Sequence, residues 1–408
     1  MKKGYLTTHI KEECFGCEAC LQACHMCAIK MVEDDEGFRY PQVDSEKCVN
    51  CGSCNDACPY ENLPEKNQGE HYVFGGYIKN LDVRDKSTSG GVFSALVDAW
   101  CDENYVIFGA EARGLEIYHS YIEDKKDIDR FRKSKYSQSH VGDSYLKACE
   151  FLKEGKKVLF SGTPCQIAAL KNVIGKNTPI DKLLTIEVVC EGFPSPLLLR
   201  KYEQHLIGKK GIKFEAIDYR FKDGARWDYE VMSIEYTSLN DSKKGVFKQD
   251  RWFNPFWIFW AARLMSRPSC VPCPFRTTDR EADITLGDLW GAHLYCPELY
   301  GNNRGCSLAV CNSEKGIAVF KKAEPYLYGH ELKYEEALKY QRPMRVVVPA
   351  NSRRDEFMDD LKTMDYQGLC DKWNPKEPLK VLWKKYVLGK NSQVVAWWKI
   401  KNLLKRNK

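Results

Sequence analysis

The sequence predicts an α+β protein in three parts: a small cysteine-rich module, a larger body of mixed α/β pattern and a basic C-terminal tail. Three observations carry that reading. Nine of the 19 cysteines fall within the first 58 residues. From Tyr72 onward, short apolar runs alternate with segments whose apolar residues recur at helical spacing. Residues 376–408 hold 10 Lys/Arg against one acidic residue, while residues 1–66 hold 7 against 12. The overall charge of +6 therefore hides an acidic start and a basic end. At roughly 150 residues per domain, 408 residues suit two or three domains, drawn at 1–66, 67–335 and 336–408. With 43% hydrophobic and 29% charged residues, the chain is neither disordered nor collagenous. No run approaches the roughly 20 apolar residues that span a bilayer, and Met1-Lys2-Lys3-Gly4 leads into no signal-peptide pattern. A soluble, cytoplasmic protein is expected.

In the module, Cys14, Cys17, Cys20 and Cys24 have the spacing C-x2-C-x2-C-x3-C, and Cys48, Cys51, Cys54 and Cys58 repeat it before Pro59. This is the two-cluster bacterial ferredoxin signature, in which three thiolates of each run hold one 4Fe-4S cube and the fourth crosses to the other. The expected sets are Cys14, Cys17, Cys20 and Cys58 for one cube, and Cys48, Cys51, Cys54 and Cys24 for the other. Structural zinc uses pairs of C-x2-C rather than two such runs. Disulfides need an oxidising compartment, and c-type haem needs C-x-x-C-H, whereas His25 sits between Cys24 and Cys27. His25 also stands where the second run has Pro59, and Cys27 is an extra thiol that could replace Cys24. Between the runs, Ile29 to Val43 reads as a hairpin about the turn Asp34-Asp35-Glu36-Gly37. Residues 63–69 read as a linker.

In the body, strands are predicted at Tyr72–Ile78, Val106–Gly109, Ile117–Ile122, Val158–Phe160, Leu183–Val189 and Leu308–Cys311. Helices are predicted at Asp143–Lys153, Pro196–Leu206, Pro255–Met265 and Glu314–Glu324, with a further helical pattern from Val92 to Trp100. The turn Lys86-Ser87-Thr88-Ser89-Gly90-Gly91 opens that last helix, as an ordinary cap or as a phosphate seat made of free N–H groups. Ser161-Gly162-Thr163-Pro164-Cys165-Gln166 joins a strand to a helix, with Pro placed to begin the helix. No G-x-G-x-x-G or Walker loop is present. Cys165 and Cys190 each follow a strand, and Cys270-x-x-Cys273 lies among prolines. By spacing alone these four suit zinc or a third cluster.

The ordered motifs Lys86 to Phe93, Ser134-Lys135-Tyr136, Phe160 to Gln166, Val189 to Gly192, Arg267 to Cys273 and Asp283 to Gly291 resemble the beta subunit family of coenzyme F-420 hydrogenases and dehydrogenases. The resemblance runs from about residue 70 to 325. It implies a flavin, FAD, on the α/β body, lined by Ser89, Gly90, Gly91, Lys135 and Tyr136 with Ser161, Gly162, Thr163 and Pro164 nearby. It also implies a third 4Fe-4S cluster held by Cys165, Cys190, Cys270 and Cys273. Glu191 stands where relatives often have histidine, on the substrate side of the pocket.

The expected function is an iron–sulfur flavoprotein oxidoreductase, passing electrons between a flavin-bound two-electron substrate and 4Fe-4S clusters or a ferredoxin-type carrier. The alternative is an electron-transfer adaptor serving a separate catalytic partner. Partners are a ferredoxin or another oxidoreductase subunit and a small-molecule substrate, with no nucleic acid. The basic tail, interleaved with Val394, Trp397, Trp398, Ile400, Leu403 and Leu404, suits a solvated segment, a helix docked on the acidic module, or peripheral contact with the inner face of a membrane.

Overall fold

The computed structural model describes residues 2–67, 69–175, 178–222, 224, 227–300, 303–347 and 349–406. Strands are numbered in chain order. In the module, β1 (Ile29–Glu33) and β2 (Arg39–Val43) form the expected hairpin, with Ile29 opposite Val43. The body adds β3 (Tyr72–Ile78), β4 (Tyr105–Arg113), β5 (Glu116–Ile122), β6 (Lys157–Gly162), β7 (Leu183–Val188), β8 (Ile212–Phe221), β9 (Val231–Ser238), β10 (Lys244–Gln249), β11 (Ile284–Asp288), β12 (Ser307–Cys311) and β13 (Leu327–Glu331).

An eight-stranded sheet in the order β13-β3-β12-β11-β7-β6-β4-β5 organises the body. Its four middle strands are parallel, and the outer pairings are antiparallel. Side chains alternate across it, as the period of two requires. Val106, Phe108, Val158, Phe160 and Leu183 pack on one face beneath the helices Ser144–Lys153 and Pro164–Ile174. Ile107, Leu159, Leu184 and Ile186 pack on the other, beneath Val92–Trp100 and Glu314–Ala323. Every strand and helix named from the sequence is present with shifted ends, the Pro255 helix stopping at Ala261. Because parallel strands point the same way, the residues after β6, β7 and β11 gather at one edge of the sheet. That edge is where open α/β sheets place their ligands.

Phe15, Cys17, Ala19 and Ala57 of the module belong to the first of these cores, so the module replaces solvent on that face. A second sheet, β10-β9-β8, is antiparallel. It shares a core with the helices Leu197–Lys210 and Pro255–Ala261, and the later helices Arg354–Thr363 and Tyr366–Trp373 pack into the same core. The tail forms helices Leu379–Tyr386 and Ser392–Arg406. It seats on the body rather than on the acidic module: Asn391 donates to Asp228 at 3.0 Å, and Val395 is buried beside Ala292 and Leu299. Among the described residues, no helix is long and apolar enough to cross a membrane.

Candidate functional site

Cys14, Cys17, Cys20 and Cys58 line one small void, closed on its other sides by Phe15, Met31, Pro41 and Pro59. Burial first, and then the neighbouring Cys58 thiol, push Cys17 well above the ordinary range. Cys20 is raised by burial and then by Cys14 and Cys58. The crossed grouping expected from the spacing is thus present in space. The second group is more open. Burial raises the Cys54 thiol, with Cys24 and Cys48 among its neighbours, and Cys51 is exposed. Cys27 is exposed, at a positive φ of 49°.

Cys165, Cys190, Cys270 and Cys273 line a second enclosed void with Phe15, Phe193, Phe275 and Met344. Cys165 follows β6 and Cys190 follows β7, which are adjacent parallel strands. Burial, then Cys270, push Cys190 to about 12; burial, then Cys270, push Cys273 to about 11. Among the described residues, no three His, Cys, Asp or Glu side chains converge on a point that could hold a single ion. Four thiols around an apolar void fit the bulk of a cube, whereas tetrahedral zinc draws its sulfurs to about 2.3 Å from one centre.

The module is clamped against this second void. Glu18, buried, accepts from Val141 N (2.8 Å) and Gly142 N (2.9 Å) and pairs with Arg39 (2.6 Å). Gln22 accepts from Tyr145 N and Leu146 N, so module side chains cap the first turn of a body helix. Arg267, fully buried, donates to the carbonyls of Cys14 (2.9 Å) and Arg39 (3.0 Å) while leading into Cys270. Gly16 has φ +63°, and a Cβ there would meet Gln138 Nε2 at 2.6 Å, so only glycine lets the cluster loop lie this close.

Beside the second void lies a cavity of about 520 Å3, within the range of cofactor sites. Pro343 belongs to the walls of both, and Glu191, next to Cys190, faces the cavity. Its walls include the turn Ser87-Thr88-Ser89 with Gly91, then Tyr136, Ser161, Trp260 and Trp290. Six basic side chains line it against three acidic ones, which makes it a site for anions. Glu191 pairs with Arg263 at 2.7 Å.

Of the residues expected around a flavin, Ser89, Gly91, Tyr136 and Ser161 reach the cavity, and Gly90, Lys135, Gly162, Thr163 and Pro164 do not line it. The local structure accounts for the departures. Gly90 lies against the backbone of β3, where a Cβ would stand 2.4 Å from Gly76 O. Gly162 packs against the Gln166 side chain, 3.3 Å from where its Cβ would stand. Thr163 forms a capping box with Gln166, and Pro164 begins the helix and turns toward the Cys165 void. Lys135 Nζ donates to the carbonyls of Arg132 (2.7 Å) and Arg130 (3.2 Å), and burial lowers it to about 7. Lys133, at φ 69°, reaches the cavity instead. Arg220, Arg251 and Arg342 also line it; they lie outside every motif, and a basic residue in a loop or strand gives no sequence signal of its own.

Known proteins share these features. Residues 155–335 match the family of the C-terminal part of the coenzyme F420 hydrogenase/dehydrogenase beta subunit, and residues 13–62 match the 4Fe-4S dicluster domain. The chain is 24% identical over 375 residues to the coenzyme F420-dependent sulfite reductase of Methanocaldococcus jannaschii, covering 80% of this chain and 54% of that protein. An uncharacterized polyferredoxin-like protein of the same organism is 37% identical over 60 residues, 13% of this chain and 36% of that protein. The chain thus spans about half the length of the first relative. A chain from the F420-reducing NiFe hydrogenase complex of Methanosarcina barkeri is similar with a TM-score of 0.41 and 16% identity, over 80% of this chain and 94% of that one.

Proposed function

Because the chain belongs, over residues 155–335, to the coenzyme F420 hydrogenase/dehydrogenase beta subunit family and carries a 4Fe-4S dicluster domain over residues 13–62, we propose that it is a flavin- and iron–sulfur-dependent oxidoreductase. The module, 1–66, holds one cube on Cys14, Cys17, Cys20 and Cys58 and another on Cys24, Cys48, Cys51 and Cys54. The body, 67–335, holds a third on Cys165, Cys190, Cys270 and Cys273, and seats FAD in the 520 Å3 cavity; residues 336–408 form the C-terminal extension. A bound flavin exchanges a hydride with a two-electron partner and single electrons with clusters. Coenzyme F420, named in the relatives, is a candidate for that partner.

One observation carries the reading: the thiol groups stand in a row. Exposed Cys51 marks the outer group, buried Cys17 the inner, Cys165 next to it, and the cavity shares Pro343 with the Cys165 void. The chain's own residues serve this row. Phe15, Phe193 and Phe275 exclude water around the thiols, the basic cavity wall holds anionic groups, and the outer group meets a ferredoxin or another oxidoreductase subunit. The tail's outward Trp397, Ile400, Leu403 and Leu404, all at least 48% exposed beside Lys399 and Lys401, support contact of a cytoplasmic protein with an anionic membrane face. The test is anaerobic. Purified protein should contain flavin and about twelve irons, four per cube, and dithionite should reduce the flavin in the full chain. Reduction of the iron centres with the flavin left oxidised, in a protein where Cys165 is intact, would overturn the row as an electron path.

A further inference from the structure

Arg220 lies near the end of β8 and forms part of the wall of the large cavity, yet its side chain is only 2% exposed. Its Nη1 is committed to Asp288. Nε and Nη2 make no hydrogen bond among the described residues. These two atoms are not an arbitrary pair. They form the edge of the guanidinium whose two N–H bonds run parallel, the edge that matches two oxygens of a carboxylate or phosphate.

The surroundings hold this edge in place and offer it no acceptor. Trp227 and Trp290 stack 5.3 Å apart, and the guanidinium stands 5.6 and 5.2 Å from their ring centres. Glu230, the next carboxylate, is taken by Arg251. The Tyr136 hydroxyl lies beside the guanidinium but leaves Nε and Nη2 without a bond. An arginine cannot shed its charge, and buried donors without acceptors destabilise a fold unless something completes them. Water would complete them poorly between two indole faces.

The geometry points to an anion-binding subsite, in which Arg220 Nε and Nη2 take two oxygens of a carboxylate or phosphate carried by the ligand of this cavity. Asp288 holds Arg220 in register from behind, and the excess of basic over acidic side chains supplies the field. The inference rests on the proposed flavin reading only for what carries the anion: a phosphate of the cofactor, or an acidic group of the substrate.

The test uses the full-length, cluster-loaded protein, its Arg220→Met variant and the double variant Arg220→Met/Asp288→Asn, which leaves no unpaired carboxylate if the single variant fails to fold. Binding of inorganic phosphate to flavin-free protein is measured by calorimetry, and binding of FAD and riboflavin by fluorescence. Phosphate affinity should fall on the order of 10- to 100-fold in the variants, as expected for a pair of charge-assisted hydrogen bonds. If FAD weakens in the same proportion while riboflavin does not, the anion is the cofactor's phosphate. If both flavins bind as before, the anion belongs to the substrate. Wild type that binds phosphate but neither flavin would sink the flavin reading and leave the subsite standing. A folded variant that binds phosphate as wild type does, or a wild type that binds none, overturns the subsite.

Discussion

Cys17 of the module and Cys165 of the body are electrostatic neighbours: after burial and the Thr163 hydroxyl, the Cys17 thiol is the largest influence on Cys165. The two residues are 148 positions apart in a 408-residue chain, and both are buried. Tyr145 sits beside them, its hydroxyl donating to Cys17 O at 3.0 Å. The junction between module and body therefore runs through the thiol groups themselves, and the predictions concern what depends on it.

Cys273→Ser should remove about four irons and leave about eight, because each cube holds four and the module thiols lie in a separate void. Anaerobic iron and sulfide analysis reads this directly. Unchanged iron content would make Cys165, Cys190, Cys270 and Cys273 structural thiols.

Glu18→Ala removes the acceptor of two backbone amides and the partner of Arg39. Losing one member of a buried charged pair costs about 3–5 kcal/mol. The variant should release the module to a protease cutting in the 63–69 linker, at concentrations that leave wild type intact. Equal protection of both proteins counts against the clamp.

Glu281 is 1% exposed, and burial, then Glu187, raise its carboxyl to about 7. The unfolded chain loses this proton near pH 4.5 and the folded protein keeps it until about 7. Stability from this group is complete below 4.5 and declines as pH rises to 7, by at most about 3 kcal/mol. Glu281→Gln should abolish that decline and be the more stable protein at about pH 8 in denaturant titrations. Parallel pH profiles for the two would refute the shift.

Lys135→Met should leave FAD occupancy unchanged, since its ammonium is spent on the carbonyls of Arg130 and Arg132. Lys133→Met should weaken FAD by roughly threefold to tenfold through loss of a cavity charge. The reverse pattern in fluorescence titrations would restore Lys135 to the site.

Full-length protein should sediment with anionic vesicles, and Trp397→Glu/Leu403→Glu should not, because both side chains are more than 60% exposed on the tail helix. Equal partitioning would leave the tail helix as part of the body's surface only.

The sequence was most legible where spacing is itself geometry. The two C-x2-C-x2-C-x3-C runs specify a crossed arrangement, and Cys165 and Cys190 after neighbouring strands specify convergence. It was least legible in β8 to β10. There, bulges between Phe214 and Ala216 and between Asp218 and Phe221 break the alternation that marks a strand. Yet β8 delivers Arg220 to the cavity. The same limit explains Lys133 and Lys135: a left-handed backbone at Lys133 redirects a side chain, and no periodicity announces such a turn. Strand β11 was hidden inside a motif that reads as sequence identity rather than as alternation.

The graded burial of the thiols sets an order of decay in air. Cys51 is exposed, whereas Cys17 and Cys165 are sealed behind Phe15, Phe275 and the clamp of Glu18. Oxidants reach exposed sulfur first, so an ageing preparation sheds its outermost cube while the two inner ones persist. Protein of reduced iron content would then still hold flavin next to working inner centres, but would have lost the contact through which electrons leave.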